Sequence, residues 1–164
     1  MSPEIISAIL EGAIVECGAE VYTAFPGTIK LGKKIHIGRI AVISNYEKPG
    51  HVSIGDNTTI GWHNNFYCQG GVKIGSNVLF ASYVCILTSN HGYKNVDTPI
   101  KMQESEYAAV EISDDSWIGY NVIILPGVKI GRHVVIGAGS VVTHDMPDYS
   151  VCVGNPCKVI RFLK

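Results

Sequence analysis

The chain has 164 residues, enough for one domain, and 46% of them are hydrophobic, enough for a substantial core. Only 16% are charged and the net charge is −1, which excludes bulk electrostatic attraction to nucleic acid or to an anionic membrane. No apolar run reaches the ~20 residues of a membrane helix, and the first eighteen residues lack the pattern of a signal peptide. Five cysteines without a CxxC motif predict reduced thiols and a cytoplasmic protein.

A short amphipathic helix is predicted at the start of the chain, over residues 1–12. Ser2 and Pro3 suit the cap and the first turn of a helix, and Glu4 follows near its positive end. Ile5 and Ile9 are four residues apart and give the helix an apolar stripe. We expect this helix to cover one end of the domain, because a terminal repeat otherwise exposes its core and its strand edges.

Large or β-branched apolar residues then recur at every sixth position, in rows of three. No helix has this period, and a flat strand would show a period of two. A hexapeptide period is typical of a parallel β-helix, in which each hexad forms a short strand and a turn. The rows are Leu31/Ile37/Ile43, Ile54/Ile60/Phe66, Ile74/Phe80/Ile86, Ile112/Ile118/Ile124 and Ile130/Ile136/Val142, after a weaker row of Ala13, Ala19 and Phe25.

A second period of eighteen lies over the first. Glycine often follows the first two members of a row and never follows the third. The sequence therefore predicts an all-β domain over residues 1–164, with a three-sided parallel β-helix of five to six coils over residues 13–147. Every insertion falls after the third member, so every loop should leave from one corner. The longest, over residues 89–110, is predicted to be a protruding arm.

The last segment, residues 148–164, leaves the repeat. Asn155 and Pro156 are typical of a helix start, which predicts a short final helix over Cys157–Leu163 with Lys158 and Arg161 on one face. Two polar residues, Asn64 and Asn90, stand at positions predicted to be interior. We expect them to stack and to satisfy each other's hydrogen bonds.

His91 is the candidate for acid–base chemistry. It lies at the root of the predicted arm, directly after a third-column strand, so the coil would fix its backbone while the arm could close over it. An imidazole that titrates near neutral pH is the natural general base for a hydroxyl or an amine acceptor. The residues alone leave open the alternative of a loop histidine without a chemical role.

Four motifs in the second half of the chain carry a family resemblance. They are Trp117–Gly119, Pro126–Gly131, Val135–Thr143 and Gly154–Ile160. These motifs resemble the left-handed β-helix hexapeptide acyltransferases, most closely the maltose, galactoside and surface-polysaccharide O-acetyltransferases. The similarity is strong from Ile112 to Arg161 and extends more weakly back to about Leu31. It specifies a family well and a substrate poorly.

The resemblance implies a homotrimer with acetyl-CoA as co-substrate in a cleft between neighbouring subunits. It implies a left-handed solenoid, which periodicity does not give. His91 matches the catalytic base, which removes the proton of a sugar hydroxyl as the oxygen attacks the thioester carbon directly. The backbone N–H of Tyr120 matches the donor that stabilises the oxyanion.

The resemblance also assigns contacts to the two substrates. The cofactor contacts are Trp117, Gly119, Ala138, Thr143, His144, Lys158 and Arg161, and the acceptor-side candidates are Tyr67, Tyr83, Asn90 and Tyr93. Lys158 and Arg161 would offer cations to the CoA phosphates. If the resemblance is set aside, the sequence predicts that Trp117 is an outward aromatic residue in a subunit contact and that Lys158 and Arg161 lie on a solvent-exposed face.

Two departures from the family put the acceptor in question. His144 stands where the sugar transferases often have lysine, and Tyr67 stands where the galactoside-type enzymes have an acceptor-side asparagine. We therefore expect a different acceptor. The arm resembles those of enzymes that decorate capsule, O-antigen or other surface polysaccharides.

Two alternative functions stay open. N-acetylation of a nucleotide-linked amino sugar would use the same base geometry, and a non-catalytic structural β-helix is also compatible with the repeat. The γ-type carbonic anhydrases share the solenoid but need three zinc-bound histidines, and the H-x4-H spacing is absent from this sequence. An ice-binding β-helix would need a ladder of threonines, where these columns hold Tyr, Leu and Asn. We expect no metal, no nucleic-acid partner and no membrane insertion.

Overall fold

The structure is a computed structural model and describes residues 11–25, 28–45 and 50–164. The helix predicted over residues 1–12 lies outside the described residues except for Glu11 and Gly12, which form a turn. The rest of the described chain is built almost entirely from short strands.

The strands form three long sheets and one small one. Sheet A contains β1 (Ile14–Val15), β4 (His36–Ile37), β7 (Thr59–Ile60), β10 (Leu79–Phe80), β15 (Trp117–Ile118), β18 (Val135–Ile136), β20 (Ser150–Val153) and β21 (Lys158–Phe162). Sheet B contains β2 (Glu20–Thr23), β5 (Val42–Asn45), β8 (Asn65–Tyr67), β11 (Cys85–Leu87), β16 (Ile123–Ile124) and β19 (Val141–Val142). Sheet C contains β3 (Ile29–Leu31), β6 (Val52–Ile54), β9 (Val72–Ile74), β14 (Val110–Ile112) and β17 (Lys129–Ile130). The small sheet pairs β12 (Ser89–Asn90) with β13 (Glu106–Tyr107), and a 3₁₀ turn spans Ile100–Met102.

The chain passes repeatedly from sheet A to sheet B to sheet C, and each strand pairs in parallel with the equivalent strand of the next coil. This is a three-sided left-handed β-helix of about six coils, and it confirms the predicted fold class. We number the coils 1 to 6 by their sheet A strands β1, β4, β7, β10, β15 and β18. The corners where one sheet passes to the next are the A/B, B/C and C/A corners.

The predicted interior columns are confirmed by the strand register from coil 2 onward. In sheet A, Ile37 is aligned with Ile60, then Phe80, Ile118 and Ile136, and all five side chains are buried. Stiff β-branched and aromatic side chains stack well in such a column because each fills the same space above its neighbour.

The predicted first row is wrong. Val15, not Ala19, is aligned with Ile37, and Val21, not Phe25, is aligned with Ile43. The reason is an additional insertion between β2 and β3, which shifts the six-residue register of coil 1 relative to the coils that follow.

All the insertions leave the prism at the B/C corner, as predicted. The connections from β5 to β6, from β8 to β9 and from β11 to β14 each run from sheet B to sheet C. The last of these is the arm. A turn at the other two corners takes few residues, and non-glycine residues with positive φ recur there, including Asn57, His63 and Tyr83.

The predicted C-terminal helix is wrong. Its residues form β21, which pairs antiparallel with β20 at the end of sheet A, after a turn through Asn155 and Pro156. Pairing satisfies the backbone groups that the last parallel strand would otherwise expose at the sheet edge. A bulge between Val151 and Cys152 places Lys158 opposite Val153 and Arg161 opposite Val151. Residues opposite each other share a face of the sheet, so Lys158 and Arg161 lie on the same face. The sequence predicted a shared face from the repeat of a helix, whereas here the strand pairing and the bulge produce it.

The expected stacking of Asn64 on Asn90 is also wrong. Asn64 is buried, and its side-chain oxygen accepts a hydrogen bond of 2.7 Å from the N–H of Val84. Asn90 lies on the arm, where it is exposed and aligned with Glu106.

Among the described residues no helix is long and apolar enough to cross a membrane.

We predict that Ile118→Asp prevents folding. The Ile118 side chain is fully buried in the sheet A column, and an unpaired charge there has no compensating partner. Circular dichroism should show loss of the β signal and of a cooperative thermal transition. Ile160→Asp is the matched control, because Ile160 is 61% exposed on β21 and the same change should leave the transition in place. A folded Ile118→Asp protein would contradict the register.

Candidate active site

The root of the arm is a short antiparallel ladder fixed to the prism. Ser89 is aligned with Tyr107 and Asn90 with Glu106, so the two ends of the arm leave the corner together. The buried Thr88 hydroxyl donates to the carbonyl of Tyr67 at 2.6 Å and accepts from the N–H of Gly70 at 2.8 Å. These bonds connect the arm root to the preceding coil and fix the backbone on which the next residues stand.

The outer part of the arm is ordered by a single glutamine. Gln103 donates to the carbonyls of Asn95 and Thr98, each at 2.8 Å, and accepts from the N–H of Asn95 at 3.1 Å. Lys94 and Glu106 form an ion pair of 2.6 Å across the arm. Four large apolar side chains of the arm are exposed: Tyr93, Val96, Ile100 and Met102. The arm is therefore a shaped segment that presents apolar surface.

His91 directly follows β12, and its ring is exposed. Its Nδ1 lies 3.2 Å from the carbonyl oxygen of Gly92. A carbonyl can only accept, so this contact is satisfied when Nδ1 carries the proton. In the neutral ring with this tautomer, Nε2 carries the lone pair that a general base requires.

Other predicted site residues lie along the same B/C corner. Tyr67 ends β8, one coil before the arm, and is aligned with Leu87. Thr143 and His144 follow β19 two coils beyond the arm root, and the Thr143 hydroxyl lies 2.8 Å from Nδ1 of His144. We call Tyr67, Asn90, His91, Tyr93, Thr143 and His144 the arm-side group.

The remaining predicted residues lie on sheet A and at the A/B corner. Trp117 points outward from sheet A and is 51% exposed. A Cβ atom added at Gly119 would lie 2.7 Å from the N atom of Ala138, so the two residues are in direct backbone contact across coils 5 and 6. Tyr120 follows at the corner, with its ring 5.3 Å from the ring of Tyr83. We call Tyr83, Trp117, Gly119, Tyr120, Ala138, Lys158 and Arg161 the sheet A group.

A free N–H is present where the oxyanion donor was expected. Among the described residues the N–H of Tyr120 has no acceptor, while its carbonyl accepts from Gly139 at 2.8 Å. The N–H groups of Ser82 and Ala138, at the same corner position of the adjacent coils, are also without one. The fold itself therefore supplies this donor in coils 4, 5 and 6, whatever the side chain.

Lys158 and Arg161 share the outer face of sheet A with Trp117. The register places Trp117 beside Val135, Val135 beside Val151, and Val151 beside Arg161. Three strand steps correspond to about 14 Å between Trp117 and Arg161 along the prism. Within the described ranges neither cation forms an ion pair, so both are available to an anionic ligand.

A single chain does not bring the two groups together. No hydrogen bond, ion pair or ring contact joins the arm-side group to the sheet A group within the part of the chain that the structure describes. Sheet B separates them, with the A/B corner along one edge and the B/C corner along the other.

The outer faces of the sheets differ in character. In coils 4 to 6 sheet B presents Cys85, Leu87, Ile123, Leu125 and Val141, which are apolar and partly buried. Sheet C presents a charged column instead, which contains Lys30, Lys73, Glu111 and Lys129. Lys129 and Glu111 form an ion pair of 3.1 Å. Sheet B is thus the more apolar of these two faces, and sheet C is suited to water.

Sequence reasoning missed a group of side chains near the start of the solenoid. His36 Nε2 lies 2.7 Å from the carboxylate of Glu16, the Arg39 guanidinium lies 5.8 Å from the centre of the Trp62 ring, and the ring of His63 stacks on that of Tyr83 at 4.8 Å. The six-residue rows could have indicated the contact between Arg39 and Trp62. Each of these residues lies two positions after an aligned interior residue, Ile37 or Ile60, and so they occupy equivalent positions in adjacent coils. No group of metal ligands was found among the described residues.

Comparison with known proteins places this geometry in a family. The model of the bacterial transferase hexapeptide (six repeats) matches residues 109–144. The galactoside O-acetyltransferase of Lactococcus lactis is 32% identical over 161 residues, which cover 97% of this chain and 68% of that protein. The chain belongs to the hexapeptide-repeat acyltransferases.

Two further similarities limit how much about function can be concluded from membership of this family. A probable acetyltransferase of Mycobacterium tuberculosis is 34% identical over 145 residues, which cover 88% of this chain but only 48% of that protein. A crystal structure of a mutant of AntD, an N-acyltransferase from Bacillus cereus, in complex with dTDP and coenzyme A, has a TM-score of 0.80. It is 23% identical and covers 100% of this chain and 91% of that chain, so this similarity shows the fold.

We predict that Thr88→Val loosens the arm root. Valine keeps the shape but leaves the Tyr67 carbonyl and the Gly70 N–H without a partner, which should lower the free energy of unfolding by about 1–3 kcal/mol. Urea unfolding measures this, and limited proteolysis should show faster cleavage within residues 89–109. Thr59→Val is the control, because the half-buried Thr59 hydroxyl has no hydrogen bond among the described residues. Equal stability of the two variants would show that the root is not held by Thr88.

Proposed function

We propose that this chain is an acetyl-CoA-dependent O-acetyltransferase that acts on a hydroxyl of a sugar or a surface-polysaccharide precursor. The observation that carries the proposal is the placement of His91, with its Nδ1 3.2 Å from the Gly92 carbonyl oxygen, on a braced arm root at the same corner as Thr143 and His144. Family membership and the named activities of the relatives support acetyl transfer. The free thiols of the chain fit a cytoplasmic setting, where acetyl-CoA is available.

The active unit in this proposal is a homotrimer. Three copies that turn sheet B toward a common axis would bury the apolar face described above, and a three-fold rotation closes such a ring. The A/B corner of each copy then abuts the B/C corner of the next, because these corners are the two edges of sheet B. The arm-side group of one subunit would thereby meet the sheet A group of its neighbour.

The chemistry follows from the groups so assembled. His91 Nε2 takes the proton of the acceptor hydroxyl as the oxygen attacks the thioester carbon. The N–H of Tyr120 in the neighbouring subunit donates to the oxyanion that forms. When the carbon–sulfur bond breaks, the imidazolium of His91 returns its proton to the departing thiolate. Atoms and charge balance without a metal ion or a covalent enzyme intermediate.

Acetyl-CoA fits the sheet A group by shape and by charge. Ala138 and Gly139 stand where the preceding coil has Tyr120 and Asn121, and a Cβ atom at Gly139 would touch nothing. A narrow pantetheine arm could pass this notch beside Tyr120. The unpaired Lys158 and Arg161 would then offer cations to phosphates, with Trp117 on the same face of the sheet.

The second candidate is N-acetylation of a nucleotide-linked amino sugar. The AntD structures of the same fold contain dTDP or a dTDP-linked 4-amino sugar together with coenzyme A. An amine needs the same base at the same place, so His91 would serve either reaction. Release of free thiol from acetyl-CoA, measured with a panel of neutral glycans and a panel of nucleotide-linked amino sugars, separates the two. Turnover confined to the second panel would replace the O-acetyltransferase proposal.

We predict that His91→Ala lowers turnover by about 10²–10⁴-fold, the size of a general-base contribution. The affinity for acetyl-CoA should change little, because the cofactor contacts lie mainly on other residues. Free-thiol release measures turnover, and calorimetry measures binding. His51→Ala is the matched control, since His51 is an exposed histidine at the same corner on another loop. Unchanged turnover in His91→Ala would point to a non-catalytic β-helix or to another base.

We predict that two inactive variants restore activity when they share a trimer. Chains with His91→Ala keep an intact sheet A group, and chains with Arg161→Ala plus Trp117→Ala keep an intact base. In a mixed trimer, the intact arm-side group of one variant can lie beside the intact sheet A group of the other. After random exchange by reversible denaturation, about one site in four should therefore be active. Thiol release of the mixture measures this, with each variant refolded alone as the control. No recovery in verified mixed trimers would place the whole site within one subunit.

A further inference from the structure

One group of side chains is not used by the proposed reaction centre. Trp62, Glu16, His36 and Arg39 lie together on the sheet A side of the A/B corner in coils 1 to 3. A Cβ atom at Gly38 would lie 2.7 Å from Cδ1 of Trp62, which shows that the indole rests directly on the Gly38 backbone. The ring is thus laid over sheet A toward coil 1, and 52% of the side chain is exposed.

The Glu16 carboxylate lies beside the ring. The hydrogen bond from His36 lowers the pKa of Glu16, and smaller contributions come from the Trp62 side chain and the backbone N–H of Arg39. Glu16 is therefore ionised at neutral pH, and its carboxylate lies 2.7 Å from Nε2 of His36. The guanidinium of Arg39 lies over the indole at 5.8 Å. An exposed ring fixed in one orientation is a stacking surface whose conformational entropy has already been lost.

The fold does not require these side chains. The corner position of Trp62 is held by Ser82 in coil 4 and by Ala138 in coil 6, and both coils close in the same way. The sheet position of Glu16 is held by Gly38 in coil 2, because Val15 is aligned with Ile37. A tryptophan, a carboxylate and a guanidinium have thus been added to positions where small residues suffice in other coils, and His36 adds an imidazole beside them.

We infer that this group is a distal sugar subsite that binds a residue of an extended glycan acceptor, remote from the residue that is acetylated. The apolar face of a pyranose stacks on an aromatic ring, and its hydroxyls bond to carboxylate, imidazole and guanidinium groups, all of which surround Trp62. This inference rests on the proposed function and names its substrate class more narrowly. The carboxylate at the centre of the group favours a hydroxyl-rich ligand over a phosphorylated one.

The position fits an acceptor that runs along the prism. Trp62 belongs to coil 3, and Tyr120 and Trp117 belong to coil 5, so two strand steps of about 10 Å in total separate them along the axis. A single pyranose does not span this distance, whereas an oligosaccharide does. The exposed Leu79 of coil 4 lies between them on the same sheet face. A glycan on this path would extend away from the end of the prism that carries Lys158 and Arg161.

The two tryptophans of the chain allow a direct test by equilibrium binding without acetyl-CoA. Trp117→Phe leaves Trp62 as the only tryptophan, and its fluorescence reports on this group alone. An array of bacterial surface-glycan fragments of one to six sugars identifies the strongest binder, and that fragment is titrated into the single-tryptophan protein. We expect the Trp62 emission to shift on binding, and the monosaccharide unit of the same fragment to bind at least about tenfold more weakly.

Variants then assign the contact. Trp62→Ala should weaken binding of the fragment by about tenfold, and Trp62→Phe should recover part of the affinity because it keeps a stacking ring. Ile40→Ala is the control, because Ile40 is a similarly exposed residue at the same corner outside the group. In the transfer assay Trp62→Ala should raise the KM of the oligosaccharide while kcat stays close to that of the unaltered chain.

Three results would overturn the inference. The first is a glycan array on which the unaltered chain and Trp62→Ala show the same binding. The second is a shift of the Trp62 emission on addition of dTDP alone. The third is a failure of acrylamide to quench Trp62 in the assembled protein. The second result would assign the ring to a nucleotide and the third to a contact with a second copy of the chain. Binding at Trp62 without any acetyl transfer would instead contradict the proposed function and leave the subsite intact.

Discussion

The structure depends on one constraint, the vertical stacking of identical positions from coil to coil. Each inward side chain lies above its equivalent in the preceding coil, and N–H groups of the strands donate to the coil beside them. A residue inserted into a strand would shift every later side chain to the wrong face, since a strand alternates its faces with a period of two. An insertion is therefore tolerated only where the chain leaves the stack, and in this protein that place is the B/C corner.

This constraint decides where chemistry can be located. The sides of the prism are uniform and rigid, so a variable segment such as the arm can grow only from the corner that accepts extra residues. The arm root inherits the rigidity of the coil through Thr88 and the β12–β13 ladder, while its outer part presents apolar side chains. The imidazole of His91 thus stands on a fixed backbone beside an adaptable segment, an arrangement common to many binding loops on rigid scaffolds.

The same rigidity explains why the proposed site needs a second copy of the chain. The two groups of predicted site residues border opposite edges of sheet B and cannot approach each other by bending the prism. The apolar outer face of sheet B and the charged outer face of sheet C give the prism an inside and an outside for assembly. In the proposed trimer, the burial of one face and the completion of the site are a single event. The Trp62 group would add length to the resulting cleft.

The sequence by itself determined the solenoid, its three sides, the interior columns from Ile37 onward and the corner from which the loops leave. These features are periodic, and a period is visible without coordinates. Only the tertiary structure decided the features that depend on a local competition. Coil 1 took Val15 and Val21 as its interior residues because an insertion shifted its register, and the C-terminal segment became β21 because a free sheet edge offers backbone partners that a short helix lacks. Trp62 and Glu16 lie two coils apart and approach each other across Gly38 of the coil between them. This proximity depends on how the coils stack, and no repeat in the sequence indicates it.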